Sequence, residues 1–266
     1  MRSPHLRNLL WTALVCLVAG LPVLLALYYP APASHPAIWP IPQDTTAAKK
    51  AHMINLLLPE IRRANQQLLG LRTRLVRLKG NIDKLSQSDK SWLRQLANDY
   101  RLALPEQTLL SNDNLNSLIG RLLLRIDIIP ADLALAQAAS ESAWGTSRFS
   151  QQGNNFYGIW CFSPGCGLVP AQRGADASHE VRAYPSVALN VADYMLTLNT
   201  HASYQDLRQL RAYMRQHDQP IDGARLAEGL NNYSGIGHAY VEQLQQLIAS
   251  NQLDRYSVEL NPSTQD

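Results

Sequence analysis

The stretch Ile128-Ile129-Pro130-Ala131-Asp132-Leu133-Ala134-Leu135-Ala136-Gln137-Ala138-Ala139-Ser140-Glu141-Ser142-Ala143-Trp144-Gly145 decides how the rest of the chain is read. It has the marks of a helix, with Pro130 and Asp132 at its start and Gly145 able to stop it. Its interior is almost wholly small and apolar, which predicts burial around most of its circumference. Gln137 and Glu141 lie four residues apart and so share one face near the C-terminal end. The helix dipole favours cations there, not carboxylates, and burial raises a carboxyl pKa. Both effects suit an acid that must hold its proton near neutral pH. The plainer alternative is a boundary glutamate that reaches solvent or pairs with an arginine.

Working outward, the residues after Gly145 change character. Gly153-Asn154-Asn155-Phe156-Tyr157-Gly158-Ile159-Trp160 combines glycines, asparagines and aromatic rings too densely for a good helix or a clean strand. It reads as a shaped loop that carries stacking rings. Phe156, Tyr157 and Trp160 are candidate platforms for a ligand, and Asn154 and Asn155 candidate hydrogen-bonding groups. The competing expectation is that Phe156 and Trp160 are core residues and the asparagines only satisfy turn geometry. Residues 161–184 are irregular and close with the alternation His179-Glu180-Val181-Arg182-Ala183-Tyr184, a strand or small hairpin. Helical pattern resumes over 186–198, 203–215, 223–229 and 236–251. On the other side, 47–79, 88–103 and 114–125 are helical, and Leu68, Leu71, Leu75 and Leu78 form an apolar stripe that needs a surface to cover. The chain is therefore expected to be mainly α, with a small β-hairpin lobe inserted after the Glu141 helix.

Residues 9–29 carry no charge and follow a short basic start. That length is close to a membrane span and long for a signal peptide, while Ala31-Pro32-Ala33 has the form of a cleavage site. The expected organisation is an N-terminal hydrophobic helix acting as membrane anchor or signal segment over 1–29, then a Pro-rich tether over 30–46. A helical accessory segment over 47–127, the Glu141-bearing domain over 128–255 and a flexible tail over 256–266 complete it. The basic residues lie on the short side of the apolar run. This places the protein at the inner membrane through residues 9–29, facing the periplasm, or free in the periplasm if the segment is removed.

Charge is uneven, with a net of +8 over residues 1–129 and −3 over 130–255. The basic half suits anionic lipid or an anionic polymer. Nucleic acid is not an expected partner, because no binding motif accompanies the charge. Cys161 and Cys166 flank a Pro164-Gly165 turn, and in an oxidising compartment such a pair reads as a local disulfide clamp. A metal site is less favoured, since two cysteines need further ligands and no close histidine completes a set. No cofactor fingerprint is present, and none is expected.

Gln137-Ala138-Ala139-Ser140-Glu141-Ser142-Ala143-Trp144-Gly145 followed by Gly153-Asn154-Asn155-Phe156-Tyr157-Gly158 resembles the N-acetylglucosaminidases of glycoside hydrolase family 73, the flagellar muramidase and autolysin class. The elements Trp160-Cys161-Phe162, Gly165-Cys166-Gly167, His179-Glu180-Val181-Arg182, Leu196-Thr197-Leu198-Asn199-Thr200-His201 and Leu207-Arg208 through Arg211-Ala212 extend the resemblance to the Bax protein family of Gram-negative bacteria, over about residues 50–255. The resemblance implies a lysozyme-like α+β fold that cleaves peptidoglycan glycan strands at the β-1,4 bond on the reducing side of N-acetylglucosamine. It places the general acid on Glu141, a second carboxylate on Glu180 and a functional tyrosine on Tyr233, with Gln137 among the substrate-binding residues. The hairpin is shorter here than in the flagellar enzymes, and Asp176 is the other acid nearby.

Two routes follow from that placement. Glu180 activates water on the far face of the sugar, which gives inversion, or the substrate's acetamido group assists, steadied by Tyr233, which gives retention. A lytic transglycosylase on the same fold needs only the one acid. A glycan-binding or scaffolding protein that keeps the cleft without turnover is the reading from a different class.

Overall fold

The structure, a computed structural model, describes residues 45–104, 111–174, 177–233, 235 and 237–257. The first helix, α1 (Thr46–Lys79), is opened by Thr45, whose Oγ1 accepts from the Ala48 amide at 3.0 Å. Such a cap satisfies one of the amides a helix start leaves unpaired. Its apolar stripe buries Leu57, Ile61, Leu68, Leu75 and Leu78. These rest on α3 (Asn112–Arg125), α4 (Ala131–Ser142) and α6 (Val187–Thr200). Between α1 and α3 lies α2 (Gln87–Asp99), started by a reciprocal capping pair of Ser86 and Asp89.

A buried polar joint sets where α4 begins. Asn65 lies inside α1 with no exposure, and its amide both donates to the Ile129 carbonyl (2.8 Å) and accepts from the Ile129 amide (3.0 Å). One side chain thus does the work of a strand partner for an otherwise unpaired segment. Beside it, the Asp127 carboxylate accepts from Arg215 at 2.8 and 3.0 Å and meets Arg72 at 3.3 Å. Arg211 is 1% exposed and donates to the carbonyls of Leu124, Arg125, Asp127 and Ile128. Arg211 and Arg215 both come from α7 (Gln205–Gln216). That helix therefore caps the end of α3 and holds the start of α4 at once.

The Glu141 helix ends earlier than its glycine suggests. Ala143 already has left-handed geometry (φ 50°), and Trp144 and Gly145 follow at 58° and 78°. The Trp144 amide returns to Ala139 O (3.0 Å), and Ser142 Oγ accepts from the Gly145 amide (2.8 Å). These bonds compensate for left-handed backbone at two side-chain-bearing residues. A short helix, α5 (Arg148–Gly153), occupies residues the sequence left unassigned, with Ser147 as its cap.

The lobe that follows is a three-stranded antiparallel sheet of order β1-β3-β2, made of β1 (Trp160–Cys161), β2 (Gly167–Leu168) and β3 (Glu180–Arg182). Trp160 pairs with Val181 and Cys161 with Glu180, while Gly167 faces Arg182. A Cβ at position 167 would collide with the Val181 carbonyl, so glycine is what allows β2 to close on β3. After α6 and α7 come α8 (Gly223–Leu226) and α9 (His238–Ser250), the latter lying along α4. Mainly helical architecture with one small sheet lobe is thus what the residues form.

The expected inner-membrane attachment is corrected at this point. Among the described residues no helix is long and apolar enough to cross a membrane. The apolar run 9–29, on which both the anchor and the hydrophobic N-terminal helix rested, lies outside the described residues, as does Asp176. Neither the anchor nor the location inferred from it is carried further.

Candidate active site

Helical spacing places Gln137 and Glu141 one turn apart on α4, but packing gives them opposite fates. Gln137 has no exposure, whereas Glu141 is open to solvent. The Oε1 atom of Glu141 accepts a hydrogen bond from the Tyr240 hydroxyl of α9 at 2.8 Å. Behind it, Gln137 Nε2 donates to the same Tyr240 oxygen at 3.3 Å, and the Tyr194 hydroxyl of α6 donates to Gln137 Oε1 at 2.6 Å. Tyr233 lies parallel to Tyr240 at 5.4 Å between ring centroids, and Tyr204 leans on Tyr233 at 5.6 Å. Tyr157 stacks on Tyr194 at 3.8 Å.

Tyr240, Tyr233 and Tyr204 therefore gather at one carboxylate, with Tyr194 and Tyr157 stacked behind them. Glu141 can be reached by solvent, but the surrounding protein displaces much of its water. That partial desolvation raises its pKa above the ordinary carboxylate range, against the Tyr240 hydrogen bond, which lowers it. Burial likewise pushes the phenols of Tyr233 and Tyr204 up, and the nearby Glu141 charge adds to both shifts. The site thus holds a carboxylic acid biased toward keeping its proton, among hydroxyls that stay neutral. On its other side, Gly158 (φ +65°) comes close enough that an added Cβ would lie 3.5 Å from Glu141 Oε2. Only a residue tolerant of that backbone geometry, without a bulky side chain, keeps this approach open.

The other residues picked out in the sequence lie in the loop and the lobe. Asn155 is buried, and its amide is saturated: Nδ2 donates to the carbonyls of Ile159 and Arg182, and Oδ1 accepts from the amides of Tyr157 and Ile159. It shapes the loop and has nothing left to offer a ligand. Asn154 ends α5 in left-handed geometry and donates to the Tyr184 carbonyl at 2.9 Å. Phe156 is core, 1% exposed, and its amide donates to Asn190. Tyr157 is equally enclosed, whereas Trp160 is 54% exposed, with one face stacked on His179 at 3.9 Å. Tyr233 donates its hydroxyl proton to the Tyr157 carbonyl at 3.0 Å.

Glu180 shares no hydrogen bond with Glu141. Its two oxygens accept from the amides of Gly165 (2.9 Å) and Gly167 (2.7 Å), and those bonds hold its pKa below the ordinary carboxylate range. The cross-strand pairing of Cys161 with Glu180 aims it into the turn that Cys161 and Cys166 close by their disulfide. Glu180 thus braces that turn in this structure. The two sulfurs and the Glu180 carboxylate are close enough to suggest a metal set, but sulfurs bonded to each other offer no thiolate.

Tyr194, Tyr204 and Tyr240 are the site residues that sequence reading passed over. The one signal available was a phenol on each of three otherwise apolar or amphipathic helical stretches, where a buried hydroxyl demands a partner.

Residues 120–253 match the family model described as Glucosaminidase, mannosyl-glycoprotein endo-beta-N-acetylglucosaminidase. The chain is 30% identical over 207 residues to Protein bax of Escherichia coli (strain K12), an overlap of 78% of this chain and 71% of that protein. No solved structure matches it significantly. The matched span holds α4, the sheet lobe and every tyrosine around Glu141, and the chain belongs to the glucosaminidase family, glycoside hydrolase family 73.

Proposed function

We propose that this chain hydrolyses the β-1,4 bond on the reducing side of N-acetylglucosamine in peptidoglycan glycan strands, with Glu141 as general acid. The observation that carries the proposal is the Glu141 environment: a solvent-reachable carboxyl with a raised pKa, hydrogen-bonded at one oxygen only among the described residues. A helix-borne acid beside a small sheet lobe is what a lysozyme-like fold presents. Glu141 gives its proton to the glycosidic oxygen, the C1–O pair leaves with that oxygen, and C1 takes on oxocarbenium character.

With both Glu180 oxygens occupied by loop amides, we favour assistance by the substrate's own acetamido carbonyl, which attacks C1 before water displaces it. Tyr233 donates its hydroxyl hydrogen bond to the Tyr157 carbonyl, so an oxygen lone pair is left to accept from the acetamido N–H and make that carbonyl a better nucleophile. Trp160, with an open face on the lobe, supplies a stacking surface for a sugar ring. Residues 47–127 then serve the 128–255 domain as a brace, through Asn65 and Arg72 on the segment entering α4.

Digestion of purified peptidoglycan with mass and reducing-end analysis tests the assignment. Reducing N-acetylglucosamine ends with retained anomeric configuration are expected. Glu141→Gln keeps the Tyr240 bond but removes the transferable proton, so turnover should fall by about 10²–10⁴-fold. Anhydro-muramic ends would identify a transglycosylase instead, and no product from folded protein would leave only glycan binding.

A further inference from the structure

Three side chains behind Glu141 form a hydrogen-bonded line with one direction. Tyr194 is 1% exposed and fully enclosed, and among the described residues its hydroxyl has one partner, Gln137 Oε1. If the Gln137 amide were turned over, its NH₂ would face Tyr194 and leave the Tyr194 proton with no acceptor. An unpaired buried hydroxyl costs roughly 1–3 kcal/mol. The buried end therefore selects the orientation: Tyr194 donates to Oε1, Nε2 donates to the Tyr240 oxygen, and the one proton of Tyr240 is directed at Glu141 Oε1.

That direction has a chemical consequence at the far end. An oxygen that accepts the Tyr240 proton at 2.8 Å cannot also carry its own proton toward it. The acidic hydrogen must then reside on Oε2, the oxygen that faces Gly158 and has no hydrogen-bond partner among the described residues. We propose that Tyr194, Gln137 and Tyr240 are positioning residues whose one-way hydrogen-bond line reserves Oε2 of Glu141 as the proton-donating oxygen. The line builds on the general-acid reading of Glu141. Gln137 consequently works from beneath the cleft, not as a ligand to the sugar. The titratable groups that face Glu141 are phenols: Tyr240 of α9, Tyr204 of the 202–204 turn and Tyr233 before α9.

The test reads Glu141 directly and needs no turnover. In the full chain carrying ¹³C-labelled glutamate carboxyls, the Glu141 resonance is assigned by its loss in Glu141→Gln, and its titration midpoint is followed by NMR. Tyr240→Phe removes the donor and should raise the midpoint by roughly one pH unit. Tyr194→Phe, which makes no contact with Glu141, should raise it by a smaller amount, because Gln137 is then free to turn and compete for the Tyr240 proton. In the double variant the midpoint should equal that of Tyr240→Phe alone, since the line acts only through Tyr240. An unmoved midpoint in Tyr194→Phe, or additive shifts in the double, would overturn the proposal. Should Tyr194→Phe lose its cooperative thermal transition, Gln137→Met breaks the same line at its middle, with the same two outcomes. The alkaline limb of kcat/KM on peptidoglycan should move with the midpoint. A wild-type chain without glycosidase activity would sink the functional reading while leaving the midpoints to judge the line.

Discussion

Replacing Arg211 with methionine tests the claim that α7 sets the position of the Glu141 helix. The side chain is 1% exposed and donates to four carbonyls, at 2.9, 3.1, 3.2 and 3.4 Å, where α3 ends and α4 is entered. Methionine fills similar space, so little packing is lost and the effect isolates the guanidinium. Burial lowers the Arg211 pKa to about 10, which still leaves it charged at neutral pH. Burial also pushes Asp127 up, but hydrogen bonds from Arg215 and the charges of Arg211 and Arg72 outweigh it and hold Asp127 low. Removing one member of such a buried ionic set costs about 3–5 kcal/mol, because the remaining carbonyls and carboxylate stay buried with fewer donors. For a domain of this size that corresponds to a fall in Tm of roughly 6–20 °C. Calorimetry at neutral pH measures it, with Arg211→Lys as the comparison that keeps charge but loses the fork and should recover only part. A change below 2 °C would refute the reasoning, because it would mean those carbonyls find other donors at no cost.

Asp132 is buried beside Asp222, and despite hydrogen bonds from Ser257 and Leu133 its pKa rises to about 6. The folded chain therefore takes up this proton before the unfolded chain does. The stability this contributes is full below about pH 4, disappears as pH rises through 6, and amounts to roughly 3 kcal/mol. Asp132→Asn should flatten that part of the Tm-against-pH curve, and an unchanged slope between pH 7 and 4 would count against it. Glu180→Gln loses an anionic acceptor for two amides, so it should lower Tm while reducing turnover far less than Glu141→Gln; equal losses of turnover would restore Glu180 as a catalytic base. Thiol labelling of the unreduced protein should find neither Cys161 nor Cys166 free, and reduction should cost about 2 kcal/mol for so short a loop.

How far the site was legible in the sequence depended on the range of the interactions involved. Helix α4 and the placement of Glu141 on it follow from local periodicity, which acts within a few residues and needs no tertiary information. The Cys161–Cys166 bond follows from a short separation across a turn. Asn155 shows where such reading stops. An asparagine in a glycine-rich loop looks the same in sequence whether it binds a ligand or, as here, fills all its hydrogen bonds with its own loop and with β3. Glu180 was recognised as an acid of the lobe, but that its oxygens accept from the Gly165 and Gly167 amides follows from the register of the sheet, which local sequence does not show. Tyr204 and Tyr240 reach Glu141, and Tyr194 reaches Gln137 behind it, from helical segments 53 to 99 residues from Glu141 in the chain. The sequence by itself determined which segments are helical and which carboxyl stands at the end of one. Only the tertiary structure decided which phenols surround it and which of its oxygens stays free, because packing between distant helices, not local spacing, selects those neighbours.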